Sequence, residues 1–109
     1  MAQLLIRSAL ALIAVGATLS VAQAQQDPAA QRGLVFVKTN CSRCHAIDKV
    51  SPSPLKIAPP FRTLHQRYPV ASLAEALGEG IVTGHPTMPE FQLDPGQVGD
   101  VIAYLETLK

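Results

Sequence analysis

The sequence predicts an all-α fold of three or four helices joined by two long loops, and three observations carry that reading. Asp27-Pro28 and Asp94-Pro95 each place a capping residue ahead of a proline at the first helical position, where a missing N–H costs nothing. Apolar residues recur at helical spacing after each pair. No segment alternates apolar and polar residues for long enough to form a strand.

In chain order, Arg7, the apolar run from Ala9 to Val21 and the small-residue site Ala22-Gln23-Ala24 describe a secretory signal peptide, residues 1–24. A retained spanning helix would need about 20 apolar residues, and Arg7 interrupts this stretch. Residues 25–109 then form one domain. Its first helix starts at Asp27-Pro28, places Gly33, Phe36, Val37 and Asn40 on one face, and ends near the cysteines. Pro60 opens a short second helix with Phe61, Leu64 and Tyr68 on one stripe. Ser72-x-x-Glu75 reads as a capping box for a third helix, with Leu73, Ala76, Leu77 and Ile81 at helical spacing and Gly78 and Gly80 weakening its far end. Asp94-Pro95-Gly96-Gln97 opens the last, with Val98, Val101, Ile102, Leu105 and Leu108 along one face. The loops run from Ser51 to Pro60 and from Gly84 to Leu93, and loops this long in so small a domain usually serve a site.

Composition limits what holds such a domain together. Domains of this size bury only about 60–65% of their chain surface. There is no Trp, and the aromatic residues are Phe36, Phe61, Tyr68, Phe91 and Tyr104. A small exported protein normally compensates with disulfides, but a Cys41–Cys44 bridge would close too small a loop to restrict the unfolded chain much. Arg7 apart, eight Lys and Arg balance eight Asp and Glu, which argues against nucleic-acid binding. The charges are segregated, however. Between Pro28 and Val70, Arg32, Lys38, Arg43, Lys49, Lys56, Arg62 and Arg67 face only Asp48. From Ala71 onward, Glu75, Glu79, Glu90, Asp94, Asp100 and Glu106 face only Lys109.

The chemistry lies in Cys41-Ser42-Arg43-Cys44-His45, the C-x-x-C-H spacing of c-type haem attachment. Two thiols about one helical turn apart can add to the two vinyl groups on one edge of a haem, and the adjacent imidazole can bind the iron. A redox-active CxxC would expect a βαβ setting. A structural zinc site needs four ligands, and His65 and His85 stand at no recognisable zinc spacing from the cysteines. Met88, the one methionine beyond the leader, is the candidate for the second axial ligand, with His85 as its rival and core filling as the bland alternative. His65 sits in a polar stretch and is expected to face solvent. Arg67 and Tyr68 read equally as haem-propionate partners or as a solvated arginine and a core tyrosine. Phe91 and Leu93 read as packing that holds the Met88 loop.

From about Asp27 to Leu108 the chain resembles a small bacterial class I cytochrome c. The resemblance rests on Gly33-x-x-Phe36, Cys41-x-x-Cys44-His45, Ala58-Pro59-Pro60-Phe61, Met88-Pro89 and Tyr104-Leu105, taken in that order. It implies one covalent haem c held by Cys41 and Cys44, with His45 and Met88 on the iron. It further implies that the first and last helices cross, with Gly33 admitting Tyr104. Pro59 is then the residue whose carbonyl accepts a hydrogen bond from the second nitrogen of His45. Where the family pattern has a glycine before that proline, this chain has Ala58.

The function expected is one-electron carriage in the periplasm, between partners such as a dehydrogenase, an oxidase or a membrane cytochrome complex. No catalytic residues are expected. Two other roles stay open: a dedicated electron-accepting subunit of an exported dehydrogenase or oxidase, and a haem enzyme or gas sensor with an open iron position. The basic first half suggests an acidic docking surface on the partner.

Overall fold

The computed structural model describes residues 25–80 and 87–109. The expected signal peptide, Ile81 and His85 lie outside the described residues. Among those described there are helices and turns and no strand, as the all-α reading requires. No described helix is long and apolar enough to cross a membrane.

Helix α1 spans Pro28–Asn40. Asp27 caps it by accepting a hydrogen bond from the Ala29 N–H at 3.0 Å. Ala30, Gly33 and Val37 are buried and Phe36 is half-buried. Asn40 is exposed, contrary to its expected place on the inner face. Its side-chain amide bonds back to the Phe36 carbonyl at 2.9 Å, which satisfies it locally.

The second expected helix is a 3₁₀ segment, Phe61–Gln66, with Leu64 buried. Pro69 explains why it stops: a proline disfavours helical backbone in the residue before it, here Tyr68. Tyr68 is 39% exposed, so it is no core residue.

Helix α2, Leu73–Glu79, begins without the expected Ser72 cap. A 3₁₀ turn over Val70–Ser72 runs directly into it. Ser72 therefore has helical backbone (φ −69°, ψ −15°) instead of the extended geometry a capping side chain needs. The helix ends at Gly80, whose φ of +105° suits glycine, and a Cβ there would lie 2.5 Å from the Glu90 carboxylate.

Helix α3, Pro95–Glu106, has the full capping box. The Gln97 N–H donates to Asp94 Oδ1 at 2.8 Å, and the Asp94 N–H donates to Gln97 Oε1 at 3.2 Å. It buries Val101 and Leu105, with Leu108 buried just beyond its end.

Helices α1 and α3 cross in contact at Gly33. A Cβ on Gly33 would lie 2.0 Å from the Asp100 carbonyl oxygen and 2.8 Å from Tyr104 Cβ. Beside this point the Arg32 guanidinium grips the Asp100 carboxylate with two hydrogen bonds, at 2.9 and 2.8 Å. That contact holds the Asp100 carboxyl below its ordinary range. Arg32 is 63% exposed, so the ion pair itself is a minor contributor to stability. The close approach matters more. Gly33→Ala should destabilise the folded protein toward the upper end of ~1–3 kcal/mol, because the obstructing atoms are backbone. Denaturant unfolding of the parent and variant measures this, and equal midpoints would show that the helices do not depend on this contact.

Candidate functional site

Helix α1 passes straight into the cysteine motif. The Cys41 N–H still donates to Val37 at 2.8 Å, and the Cys41 carbonyl then accepts from the N–H groups of Cys44 (3.2 Å) and His45 (3.0 Å). One carbonyl therefore gathers both thiols and the imidazole into a single turn. The cysteines are half-buried and unbridged. Burial pushes the Cys41 thiol up to about 11, whereas a redox-active CxxC needs a lowered thiol. No described group of three or more His, Cys, Asp or Glu gathers in a way that could hold a metal ion, and His65 is exposed as expected.

His45 is fixed by its second nitrogen. Nδ1 lies 2.8 Å from the Pro59 carbonyl oxygen. A carbonyl can only accept, so Nδ1 carries the proton and Nε2 is the basic nitrogen. Nε2 has no hydrogen-bond partner among the described residues. The Phe61 ring lies 4.9 Å from the imidazole, tilted by 39°. The loop delivering Pro59 is closed by short bonds: Leu55 N–H to the Cys44 carbonyl (3.1 Å), Ala46 N–H to Ser53 Oγ (3.0 Å) and Phe61 N–H to the Ala46 carbonyl (2.9 Å).

Met88 is half-buried at a bend, and it is not among the side chains packed on the central apolar cluster. Its segment is anchored just downstream. Phe91 meets Phe36 of α1 edge-on, with ring centroids 6.5 Å apart, and the Leu93 N–H donates to the Leu77 carbonyl at 2.9 Å. Arg67 and Tyr68 are exposed, with no hydrogen-bond partner for either side chain among the described residues.

Three further residues shape the site. Tyr104 donates its phenol to the Ile47 carbonyl at 2.6 Å, tying α3 to the loop after His45. Burial first, and the Asp48 charge second, raise that phenol above its ordinary value. Asp48 Oδ1 accepts from the N–H groups of Ser51 (2.6 Å) and Val50 (2.8 Å). Hydrogen bonds from Ser51, then from Val50, bring the carboxyl down to about 2. Arg62 donates Nη1 to the Ser51 carbonyl at 2.7 Å. In the sequence Asp48 stands out only as the single acid of a basic stretch. Nothing in the spacing points to Arg62.

A family model described as Cytochrome c matches residues 30–109. The chain belongs to the cytochrome c family. Neither a curated protein nor a solved structure gives a match.

The cofactor of a cytochrome c is a covalently attached haem c, and Cys41 and Cys44 fit its attachment motif. The described residues fit the group on independent grounds: two free thiols on one turn, and an imidazole with only Nε2 available. Phe61 lies on the imidazole, and Phe36, Ile47, Leu77 and Phe91 are, like it, packed on the core yet only half covered. Haem retained after acid–acetone extraction measures the attachment. The parent should keep it, and a Cys41→Ala/Cys44→Ala chain should lose it along with most of its helical circular dichroism. A double variant that stays folded without haem would show that the apolar core is complete by itself.

Proposed function

We propose that this cytochrome c is an exported, periplasmic one-electron carrier in which His45 and Met88 are the two axial ligands of a single haem. The observation that carries the reading is the 2.8 Å bond from His45 Nδ1–H to Pro59, which leaves one nitrogen to bind iron and fixes its direction. Bound haem iron supplies a one-electron ferric/ferrous couple. The chain's residues set the conditions for it. Cys41 and Cys44 prevent loss by dilution, and His45 is held in one tautomer. Met88, left outside the packed core, is available as a thioether ligand, which favours the reduced state relative to a second histidine. With both axial positions taken by protein, no site remains for a substrate.

We also propose that the partner presents an acidic surface. Of the seven basic residues in the first half, Arg32 is paired with Asp100 and Arg62 is turned onto the Ser51 carbonyl. Lys38, Arg43, Lys49, Lys56 and Arg67 are exposed. Val50 and Ile57, next in sequence to two of these lysines, are 85% and 64% exposed, which adds apolar contact area to the basic surface.

Two measurements test these readings. Met88→Ala should keep its haem, lose the red thioether-to-iron absorption band, fall in reduction potential and bind carbon monoxide when reduced. A band that survives the substitution would transfer the ligand role to another residue. Second-order electron transfer to an acidic redox protein should slow as salt rises, and slow further when Lys38, Arg43, Lys49 or Lys56 is changed to Glu. Rates indifferent to both salt and charge would leave an apolar docking surface instead.

A further inference from the structure

The His45–Pro59 bond can be no firmer than the loop that delivers Pro59, and the proline pair itself adds no donor to hold it. Pro59 and Pro60 have no N–H to donate. The nearest ties are the Ala58 N–H to Leu55 (2.9 Å) and the Thr63 N–H (3.0 Å) and hydroxyl (2.8 Å) to the Pro60 carbonyl, all local, and the Phe61 N–H to Ala46 (2.9 Å). The next residue, Arg62, crosses the loop to the Ser51 carbonyl at 2.7 Å; its 3.5 Å approach to the Asp48 carbonyl is too long to matter. Ser51 is itself held by Asp48 Oδ1 at 2.6 Å, so Arg62 grips a fixed point. Phe61, between the proline pair and Arg62, carries the ring that lies on His45.

We propose that Arg62, acting through the Ser51 carbonyl, is a positioning residue that holds the Pro59 carbonyl on His45 and thereby sets the reduction potential. It rests on the proposal that His45 is an axial ligand. A hydrogen bond accepted from Nδ1–H makes the imidazole a more basic ligand and favours ferric iron. Releasing the strap lengthens that bond and moves the equilibrium toward the ferrous form.

The test uses the full holoprotein and three variants. Arg62→Met removes the donor and keeps the apolar stem, Arg62→Lys restores one donor, and Arg32→Met deletes a cation at the helix crossing. Redox titration gives the potential, and nuclear magnetic resonance of the reduced protein gives the solvent exchange rate of the His45 Nδ1 proton. Arg62→Met should shift the ferric/ferrous equilibrium about threefold toward ferrous, roughly 28 mV at 59 mV per decade for one electron. Its Nδ1 proton should exchange about tenfold faster or more, and Arg62→Lys should recover most of both effects. Arg32→Met should change neither.

Parental potential and exchange in Arg62→Met overturn the proposal, as does an equal shift in Arg32→Met. Should Arg62→Met fail to fold, Asp48→Ala, which loosens Ser51, must shift both readouts in the same direction or the proposal falls. A parent protein lacking a reversible one-electron couple overturns the carrier reading itself, which distinguishes the two failures.

Discussion

The contact between α1 and α3 at Gly33 is the constraint on which the other placements depend. The Asp100 carbonyl occupies the volume in which any other residue would keep its Cβ, so the helices meet backbone to backbone. Two consequences follow along the chain. On α1, the turn bearing Cys41, Cys44 and His45 is a direct continuation of the helix, so its position is set by the crossing. On α3, Tyr104 lies about one turn beyond Asp100 and reaches the Ile47 carbonyl, fixing the backbone two residues after His45. One close approach thus orients both the cysteine turn and the start of the loop that returns to cover it.

That rigid crossing compensates for a meagre core. Among the described residues Val37 is the largest side chain that is completely buried, and none of the five aromatic residues beyond residue 24 is buried. Phe36, Phe61, Phe91 and Tyr104 instead rest half covered against the aliphatic cluster of Val37, Leu64, Val70, Leu93, Val101, Leu105 and Leu108. Apolar surface stabilises in proportion to the area withdrawn from water, at roughly 25 cal/mol per Å². Half-covered rings give up much of that stabilisation until a large apolar group lies against them. A covalently attached haem is such a group, and a group that binds only the folded chain adds its binding free energy to the fold. Cofactor and core are therefore coupled, and one of these rings, Phe61, also lies against the His45 imidazole.

What the sequence disclosed depended on how local each feature is. Caps with proline at the first helical position were legible at Asp27 and Asp94, because a few consecutive residues contain the whole device. Ser72 carries the same signature and does not cap. The turn entering it from Pro69 is already helical, and three residues of pattern say nothing about how the chain arrives. Pro59 was found through the ordered family motif, and its carbonyl is on His45 despite Ala58 in the preceding position. The Arg62–Ser51 and Tyr104–Ile47 contacts were not legible. Both pair a side chain with a distant carbonyl, and a carbonyl carries no residue identity to read.

The charge pattern shows how the same limit bears on function. Along the chain, seven bases confront one acid, which suggests a uniformly positive half. Folding redistributes them. The helix crossing brings Asp100 from the acidic half onto Arg32, and loop closure directs Arg62 inward onto backbone. The cations so engaged are those with structural partners to hold. The remaining five are exposed, on or close to the segments that flank the cysteine turn and its covering loop. Net charge along the sequence therefore overstates the number of cations that folding leaves unengaged. Long-range attraction falls off over about 8 Å at physiological salt. Only exposed cations within that reach of another charge contribute to long-range attraction, so these five count for more than the formal total of the chain.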